Sequence, residues 1–281
     1  MSMKDYLGDR MKEFYEDRSR FYLTRRTPVI IRIDGRCFHS FTHNFDKPYD
    51  RLFHNSMNKT LQYLCKNIQG CKFGYTQSDE ISLVLTDYDT LTTDGWFDYN
   101  LQKMCSISAS MATLSFNKYF EEFFMLLESD VAQEYETSGD SEWFKKMNHL
   151  FHVYHEALNS AMFDARVFSI PEKEVCNYFI WRQKDATRNA IRMLGQTHFS
   201  HKKLEEKSCD DIQDMLFLEK QINFNDMPVE FKRGVCCYRK ETPCIERKTG
   251  YKKEWVLDKE CPIFTQDRNY VEQHIQTINN D

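Results

Sequence analysis

The fold is decided by the stretch TPVIIRIDGRCFH, which occupies positions 27–39. Its first half is a dense run of β-branched residues, and such a run predicts a buried β-strand. The strand ends on a carboxylate, Asp34, which is followed at once by Gly35 and then by Arg36 and His39. A carboxylate at the end of a buried strand costs free energy unless a cation pairs with it. Taken alone, the pattern also fits an ordinary strand-to-loop turn, so its meaning depends on the rest of the chain.

A second acidic sequence, QSDE at 77–80, lies between strand patterns at 72–76 and 81–85 and so forms the turn of a predicted hairpin. The other patterns are helical at 50–67 and 96–124 and a proline-terminated strand at 163–171. The predicted order is therefore β-α-β-β-α-β. This order is typical of a ferredoxin-like, polymerase palm-like α+β fold, with an antiparallel sheet and helices on one of its faces.

In that topology the first and third strands are neighbours, so Asp34 and Asp79 are expected to meet at one end of the sheet. Two carboxylates at such close range repel each other unless a cation lies between them. Mg²⁺ is the simplest occupant, because it takes oxygen ligands and leaves positions for substrate phosphates. Two such ions ~3.5–4 Å apart would support phosphoryl transfer. The residues therefore predict two Mg²⁺ ions at this end of the sheet.

Composition limits the class of protein. The chain has 281 residues, of which 41% are hydrophobic, so it can bury a large core. Its net charge of −5 argues against general nucleic-acid binding and restricts any such surface to a local patch. The ten cysteines lack regular CxxC spacing. With no apolar leader or membrane-spanning run, we expect reduced thiols in a cytoplasmic protein.

The remaining patterns divide the chain into a palm-like catalytic domain at 1–170 and an extension at 171–281. The extension is expected to consist of helices and strands packed on the palm and to contact RNA. The further predicted elements are helices at 5–22, 143–162, 172–194 and 208–220, an acidic loop at 129–142, a strand at 231–240 and a hairpin at 241–259 with its turn at 248–250.

Five motifs together make the sequence more specific. They are IRIDGRCFH at 31–39, NFDKP at 44–48, YTQSDEIS at 75–82, FDARV at 163–167 and WRQKD at 181–185. In order and spacing, these motifs resemble the tRNA(His) guanylyltransferases and their Thg1-like relatives, the 3′–5′ polymerases. The resemblance covers about residues 7–240. It implies a palm fold and an enzyme that extends RNA at its 5′ end, first activating the 5′-monophosphate with ATP or GTP.

The resemblance also implies roles for particular residues. Asp34, the carbonyl of Gly35 and Asp79 resemble the Mg²⁺ ligands, and Glu80 resembles an adjoining essential carboxylate that completes the catalytic set. The residues expected to hold the nucleotide are Asp34, Gly35, Arg36, Cys37, Phe38, His39, Lys47, Ser78, Asp79 and Arg166. The arginines expected to contact RNA are Arg25, Arg26, Arg182, Arg188 and Arg192, although a solvated helix face is the other interpretation of such cations. The implied partners are tRNA, ATP, GTP and other nucleoside triphosphates, in a homotetramer.

One departure from the family pattern bears on the substrate. Eukaryotic guanylyltransferases carry HINNLYN after the WRQxD motif, whereas this chain has TRNAIRM at 187–193, in which Asn189 alone persists. The chain therefore looks more like a Thg1-like protein that repairs 5′-truncated tRNA by templated addition. The alternative is a tRNA(His) guanylyltransferase that adds G at position −1. Two other classes stay open, a nucleotidyl cyclase-like palm and a non-catalytic RNA-binding module of the same strand order.

Overall fold

A computed structural model describes residues 6–138, 142–243 and 251–275. Within these residues the strands form a six-stranded antiparallel sheet of order β4-β1-β3-β2-β5-β6. The strands are β1 Val29–Gly35, β2 Cys71–Gln77, β3 Glu80–Leu85, β4 Phe163–Ser169, β5 Val235–Pro243 and β6 Tyr251–Asp258. The α-helices are α1 Tyr6–Met11, α2 Phe38–Phe41, α3 Arg51–Asn67, α4 Leu101–Ser138, α5 Glu142–Ala157, α6 Glu172–His198, α7 His201–Leu204, α8 Cys209–Lys220, α9 Val229–Arg233 and α10 Asn269–Glu272.

The sheet register confirms the predicted neighbourhood of the acidic residues. β1 pairs with β3 on one side and with β4 on the other. Asp34 is directly opposite Glu80 of β3 and Asp164 of β4. The first four strands therefore have the predicted palm order, and β5 and β6 widen the sheet beyond β2.

Helices cover both faces of the sheet, which corrects the expectation of a single helical face. On one face α3 and α4 bury Ile31 and Ile33 of β1. On the other face Phe179 of α6 packs with Ile30 of β1 and Tyr75 of β2. Alternate residues of a strand point to opposite faces, so the unbroken apolar run in β1 reflects burial on both sides.

Glycine decides where the final hairpin begins. The predicted strand at 231–240 starts only at Val235, because α9 occupies the preceding residues and ends at Gly234. Gly234 has a φ of +77°, and a Cβ there would lie 2.4 Å from the carbonyl oxygen of Thr76. Only glycine allows β5 to approach β2 this closely. β5 and β6 form a hairpin, with Pro243 opposite Tyr251, but its first strand begins at Val235 and so includes most of the strand predicted separately at 231–240. The predicted turn lies outside the described residues.

Three helix predictions are corrected. α4 continues to Ser138, so the acidic sequence at 129–138 is helix rather than loop, since glutamate, glutamine and alanine are good helix formers. Positions 139–141 of that predicted loop lie outside the described residues. α5 ends at Ala157, before the predicted limit of 162. The N-terminal helix is broken into α1, a π-helical turn at Lys12–Glu16 and a 3₁₀ turn at Asp17–Ser19, and its apolar side chains are exposed.

Two helix starts agree with the sequence. The side chain of Asp50 accepts a hydrogen bond from the backbone N–H of Phe53, which caps α3. Ser208 and Asp211 form a reciprocal capping box at the start of α8. Among the described residues no helix has both the length and the apolar content needed to cross a membrane.

Candidate active site

Asp34 and Asp79 lie side by side at the end of the central strands. The backbone N–H of Gly35 donates a hydrogen bond to the carbonyl oxygen of Asp79 at 3.1 Å, which ties the end of β1 to the β2–β3 turn. Burial raises the pKa of the Asp79 carboxyl, and the negative charge of Asp34 raises it further. The two carboxylates are thus close enough to repel each other. The structure brings together the pair expected from the sequence.

Two left-handed residues shape the loops on either side of this pair. Cys37 has a φ of 57° and Ser78 a φ of 50°, and each lies in the turn that follows a central strand. Between them, Gly35 is required by packing, because a Cβ there would lie 2.3 Å from the ring of Phe38. That ring is buried against Phe163, with ring centroids 4.9 Å apart. The packing of the Phe38 ring on Phe163 therefore fixes the position of the loop after β1.

Fewer backbone N–H groups after β1 are free to bind a nucleotide than the list of predicted nucleotide-binding residues indicated. The backbone N–H of Gly35 is bonded to Asp79, and that of Arg36 donates to the carbonyl oxygen of Met162 at 2.8 Å. In the described part of the chain, the next three N–H groups, of Cys37, Phe38 and His39, have no acceptor. Open, consecutive N–H groups suit an anion. The backbone N–H groups that could bind an anion are therefore those of residues 37–39.

Glu80 has a different environment from the one expected of a catalytic carboxylate. It is buried, and its Oε2 accepts a hydrogen bond from Nη1 of Arg182 at 2.6 Å. Nε of Arg32 lies 3.7 Å from the same oxygen. Burial raises the pKa of Glu80, whereas the charge and hydrogen bond of Arg182 lower it. We therefore treat Glu80 as a positioning residue that links β3 to α6.

The two cations expected to hold phosphate flank the carboxylates differently. Nη1 of Arg166 lies 3.4 Å from Asp34, and its Nη2 lies 3.6 Å from Asp164. Arg166 is half exposed and so can exchange these partners for a phosphate. Lys47 is exposed, and its Nζ has no hydrogen bond or ion pair within the residues that the structure describes. Lys47 lines the cavity described next, whereas Arg166 lies beside Asp34.

A cavity of about 380 Å³ opens beside Asp79. It lies between α3 and the second half of α6, and the β2–β3 turn and the start of β5 complete its wall. Its lining includes five residues of the predicted nucleotide site, which are Phe38, His39, Lys47, Ser78 and Asp79. Its volume falls in the range of small-molecule sites.

Sequence reasoning missed the residues that α3 and α9 contribute to this cavity. Asn58, His54, Met57 and Phe231 line it, and none of them belongs to a recognised motif. Asn58 did carry a signal, since it is an amide beside the apolar stripe of Met57 and Leu61. Asn189, the residue that persists from the HINNLYN segment, also lines the cavity.

Comparison with known proteins identifies the family. The family model described as tRNAHis guanylyltransferase matches residues 8–171, more than half of the chain. The chain belongs to this family. It is similar to a bacterial tRNA(His) guanylyltransferase (Thg1)-like protein solved in complex with ATP, with 41% identity over 96% of this chain and 99% of that chain and a TM-score of 0.75. A solved structure of such a bacterial protein in complex with GTP has 40% identity, the same coverage and a TM-score of 0.72.

A curated relative agrees with this assignment. The probable tRNA(His) guanylyltransferase of Dictyostelium discoideum is 26% identical over 238 residues, which are 80% of this chain and 80% of that protein. Membership of the guanylyltransferase family confirms the palm-like fold and the class of enzyme expected from the motifs. This member of the family is a nucleotidyltransferase.

Three of the five arginines expected to contact RNA form contacts within this guanylyltransferase-family chain, and the burial of Arg182 corrects the expectation for that residue. Nε of Arg25 donates to the buried carboxylate of Asp87 at 2.6 Å. The guanidinium of Arg26 donates to backbone carbonyls of the loop at 87–93. Arg182 is buried against Glu80. These side chains stabilise the fold, whereas Arg188 and Arg192 remain exposed on α6.

The carboxylates of Asp34 and Asp79 are suited to supply some, but not all, of the ligands of a divalent cation. The described residues contain no cluster of three His, Cys, Asp or Glu side chains that could hold a metal. Glu80 is turned toward Arg182, so Asp34 and Asp79 are the members of the predicted acidic set that remain. Mg²⁺ is commonly bound by one or two carboxylates, with water and substrate phosphates as its other ligands. The donor set is therefore suited to a metal that arrives with a nucleotide.

Proposed function

We propose that this enzyme is a 3′–5′ nucleotidyltransferase that adds nucleotides to the 5′ end of tRNA and repairs 5′-truncated molecules by templated addition. The observation that carries the proposal is the closely spaced pair Asp34 and Asp79 beside a nucleotide-sized cavity, in a chain of this family. The family resemblance supplies two steps. An oxygen of the tRNA 5′-phosphate attacks the α-phosphorus of ATP or GTP and displaces pyrophosphate. The 3′-hydroxyl of an incoming nucleoside triphosphate then attacks the activated 5′-phosphorus and displaces the nucleoside monophosphate.

Residues of this chain account for the binding that these steps require. The N–H groups at 37–39 bind the triphosphate of the activating nucleotide, and Ser78 and Asp79 close the site from the neighbouring turn. Lys47 and Arg166 neutralise the phosphates. Asp34 and Asp79, with the carbonyl of Gly35, would hold two Mg²⁺ ions, which would lower the pKa of the attacking 3′-hydroxyl and stabilise the leaving oxygen.

Phosphate neutralisation predicts a large effect for the two cations. We expect Lys47→Ala and Arg166→Ala each to lower single-turnover nucleotide addition by ~10²–10³, because preorganised cations are worth this much to a transferring phosphoryl group. Lys59→Ala is the matched control, since Lys59 is an exposed lysine of α3 that does not line the cavity. Losses of less than a few-fold in both variants would show that Lys47 and Arg166 are ordinary surface residues.

The choice between repair and G−1 addition follows from the segment that replaces HINNLYN. Arg188 is engaged with Asp185, and Arg192 is exposed, so these arginines are placed to meet phosphates rather than base edges. Side chains that read a particular anticodon would need to stack on or hydrogen-bond to bases. Template pairing would then have to supply the discrimination.

We expect the product to follow the template base. The experiment supplies tRNAs that lack their first nucleotide, with varied anticodons and varied bases opposite the missing position, and identifies the added nucleotide. Addition should depend on the opposing base and be nearly independent of the anticodon. Addition of G regardless of the opposing base, and with the histidine anticodon alone, would instead establish the alternative, a tRNA(His) guanylyltransferase.

We also propose a homotetrameric assembly and a cytoplasmic location. Residues 6–22 expose a series of large apolar side chains, and exposed apolar surface of this kind marks protein interfaces. These side chains are Tyr6, Leu7, Phe14, Tyr15 and Phe21. The nine cysteines within the described residues are free thiols, which agrees with a reducing compartment.

A further inference from the structure

Asn58 is a buried amide whose side chain lacks a partner. It lies in α3 with 3% of its surface exposed, and its Nδ2 has no hydrogen-bond acceptor among the described residues. Two other amides, the buried Gln183 and the half-buried Asn117, are paired. Nε2 of Gln183 donates to the carbonyl of Pro262, and Nδ2 of Asn117 donates to two backbone carbonyls. A buried amide without a partner costs free energy, so its presence requires a reason.

The amide lies at the floor of the cavity that opens beside Asp79. One turn further along α3, Leu61 packs on Gly74 of β2, where a Cβ would lie 2.8 Å from Leu61 Cδ1. Asn58 is therefore at the level of Thr76, and both residues line the cavity. Asp79 is three positions after Thr76, so the Cα atoms of these two residues are at most about 10–11 Å apart. A nucleoside fits this separation, with its base at Asn58 and its phosphates at Asp79.

The surroundings of Asn58 suit a flat, apolar ring. Met57, Ala186, Ala190, Met193 and Phe231 line the same cavity. His54, which also lines it, is neutral at physiological pH, because burial lowers its pKa to about 3. Charged side chains of the lining belong mainly to the loop at 46–50 and to the turn that carries Asp79. Asn58 contributes a buried, unpaired amide to these apolar walls, and the exposed amides of Asn189 and Gln196 line the same cavity.

We infer that Asn58 binds the base of the activating nucleotide and allows the enzyme to use both ATP and GTP. This inference rests on the proposed function, which places that nucleotide in the cavity. An amide carries one donor and one acceptor group. Nδ2 can donate to a ring nitrogen of adenine while Oδ1 accepts from its amino group. With guanine, Nδ2 can donate to O6 while Oδ1 accepts from N1–H. The apolar walls favour a purine over a pyrimidine by contact area.

The inference is tested by measuring the binding of ATP and GTP with Mg²⁺, and the rate of tRNA activation, for two variants. Burial raises the pKa of a carboxyl, so Asn58→Asp is measured over a pH series up to about pH 9, and once ionised it presents acceptors alone. Guanine offers two neighbouring donors, N1–H and its amino group, whereas adenine loses the donor that its ring nitrogen needs. We expect the ratio of GTP to ATP affinity to rise about ten- to a hundredfold. Asn58→Leu, of similar volume, should weaken both nucleotides about tenfold and leave their ratio unchanged.

Controls separate a binding role from a structural one. Asn55→Asp and Asn55→Leu are matched variants on the same helix, and Asn55 does not line the cavity; both should keep the wild-type ratio. Asn58→Leu should not lower the melting temperature, because it removes an unpaired buried amide. A lowered melting temperature with an unchanged nucleotide ratio in Asn58→Asp would overturn the inference. If the wild-type enzyme bound neither ATP nor GTP, the proposed function would fail as well.

Discussion

Asp34→Asn and Asp79→Asn should each reduce nucleotide addition by at least about a thousandfold, even at saturating Mg²⁺. The register of β1 and the hydrogen bond between Gly35 and Asp79 hold these two carboxylates at one point. Each asparagine keeps the shape of the side chain but removes a charge that a divalent cation requires. The measurement is single-turnover extension of a 5′-truncated tRNA. Near-normal extension by Asp79→Asn would contradict the assignment of the metal site.

The same variants should fold normally, which separates loss of the metal site from loss of structure. Burial and the charge of Asp34 raise the pKa of Asp79, so its stabilising contribution is present at low pH and is lost as pH rises through the folded-state pKa. Without Mg²⁺ at about pH 8, Asp79→Asn should therefore raise the melting temperature, and the gain should shrink toward about pH 4. Asp210→Asn, on the exposed start of α8, is the control and should change neither activity nor melting temperature.

Arg182→Met should destabilise the folded state by about 3–5 kcal/mol, as expected when one partner of a buried ion pair is removed. Arg182 is 5% exposed, and its Nη1 lies 2.6 Å from the buried carboxylate of Glu80. Its guanidinium also lies 3.7 Å above the ring of Trp181. Methionine leaves Glu80 buried without its nearest cation. The measurement is the free energy of unfolding from urea denaturation.

Two comparisons make this expectation specific to the ion pair. Adding Glu80→Gln to Arg182→Met should recover much of the lost stability, because the uncompensated buried charge is then removed. Arg182 lowers the pKa of Glu80, so its loss should raise that pKa further. The destabilisation by Arg182→Met should therefore be smaller at about pH 5 than at about pH 8, where Glu80 must be ionised. Arg188→Met, an exposed arginine on the same helix, should cost little. Equal losses in both arginine variants would show that the buried pair has no special role.

Local patterns were sufficient for the palm because its elements are specified by nearby residues. The β-branched run before Asp34 and the QSDE turn predicted two adjacent strand ends, and the structure brings them together. Asp50 and Ser208 marked helix starts through their own side chains. The prediction was wrong where it rested on composition alone. The acidic residues at 129–138 were expected to form a loop, but they continue α4. Charge does not end a helix when the residues are good helix formers.

The sequence by itself determined the family, the strand order of the palm and the meeting of Asp34 with Asp79. These follow from the apolar periodicity of each segment and from motifs whose residues lie close together in the chain. Tertiary structure alone decided that Arg182 is buried on Glu80 rather than exposed to RNA, and that Asn58 lies at the floor of the cavity. The physical reason is that burial and pairing depend on residues about a hundred positions away in the first case. In the second case they depend on residues of α6 and α9, which line the same cavity as Asn58 but lie far from α3 in the chain.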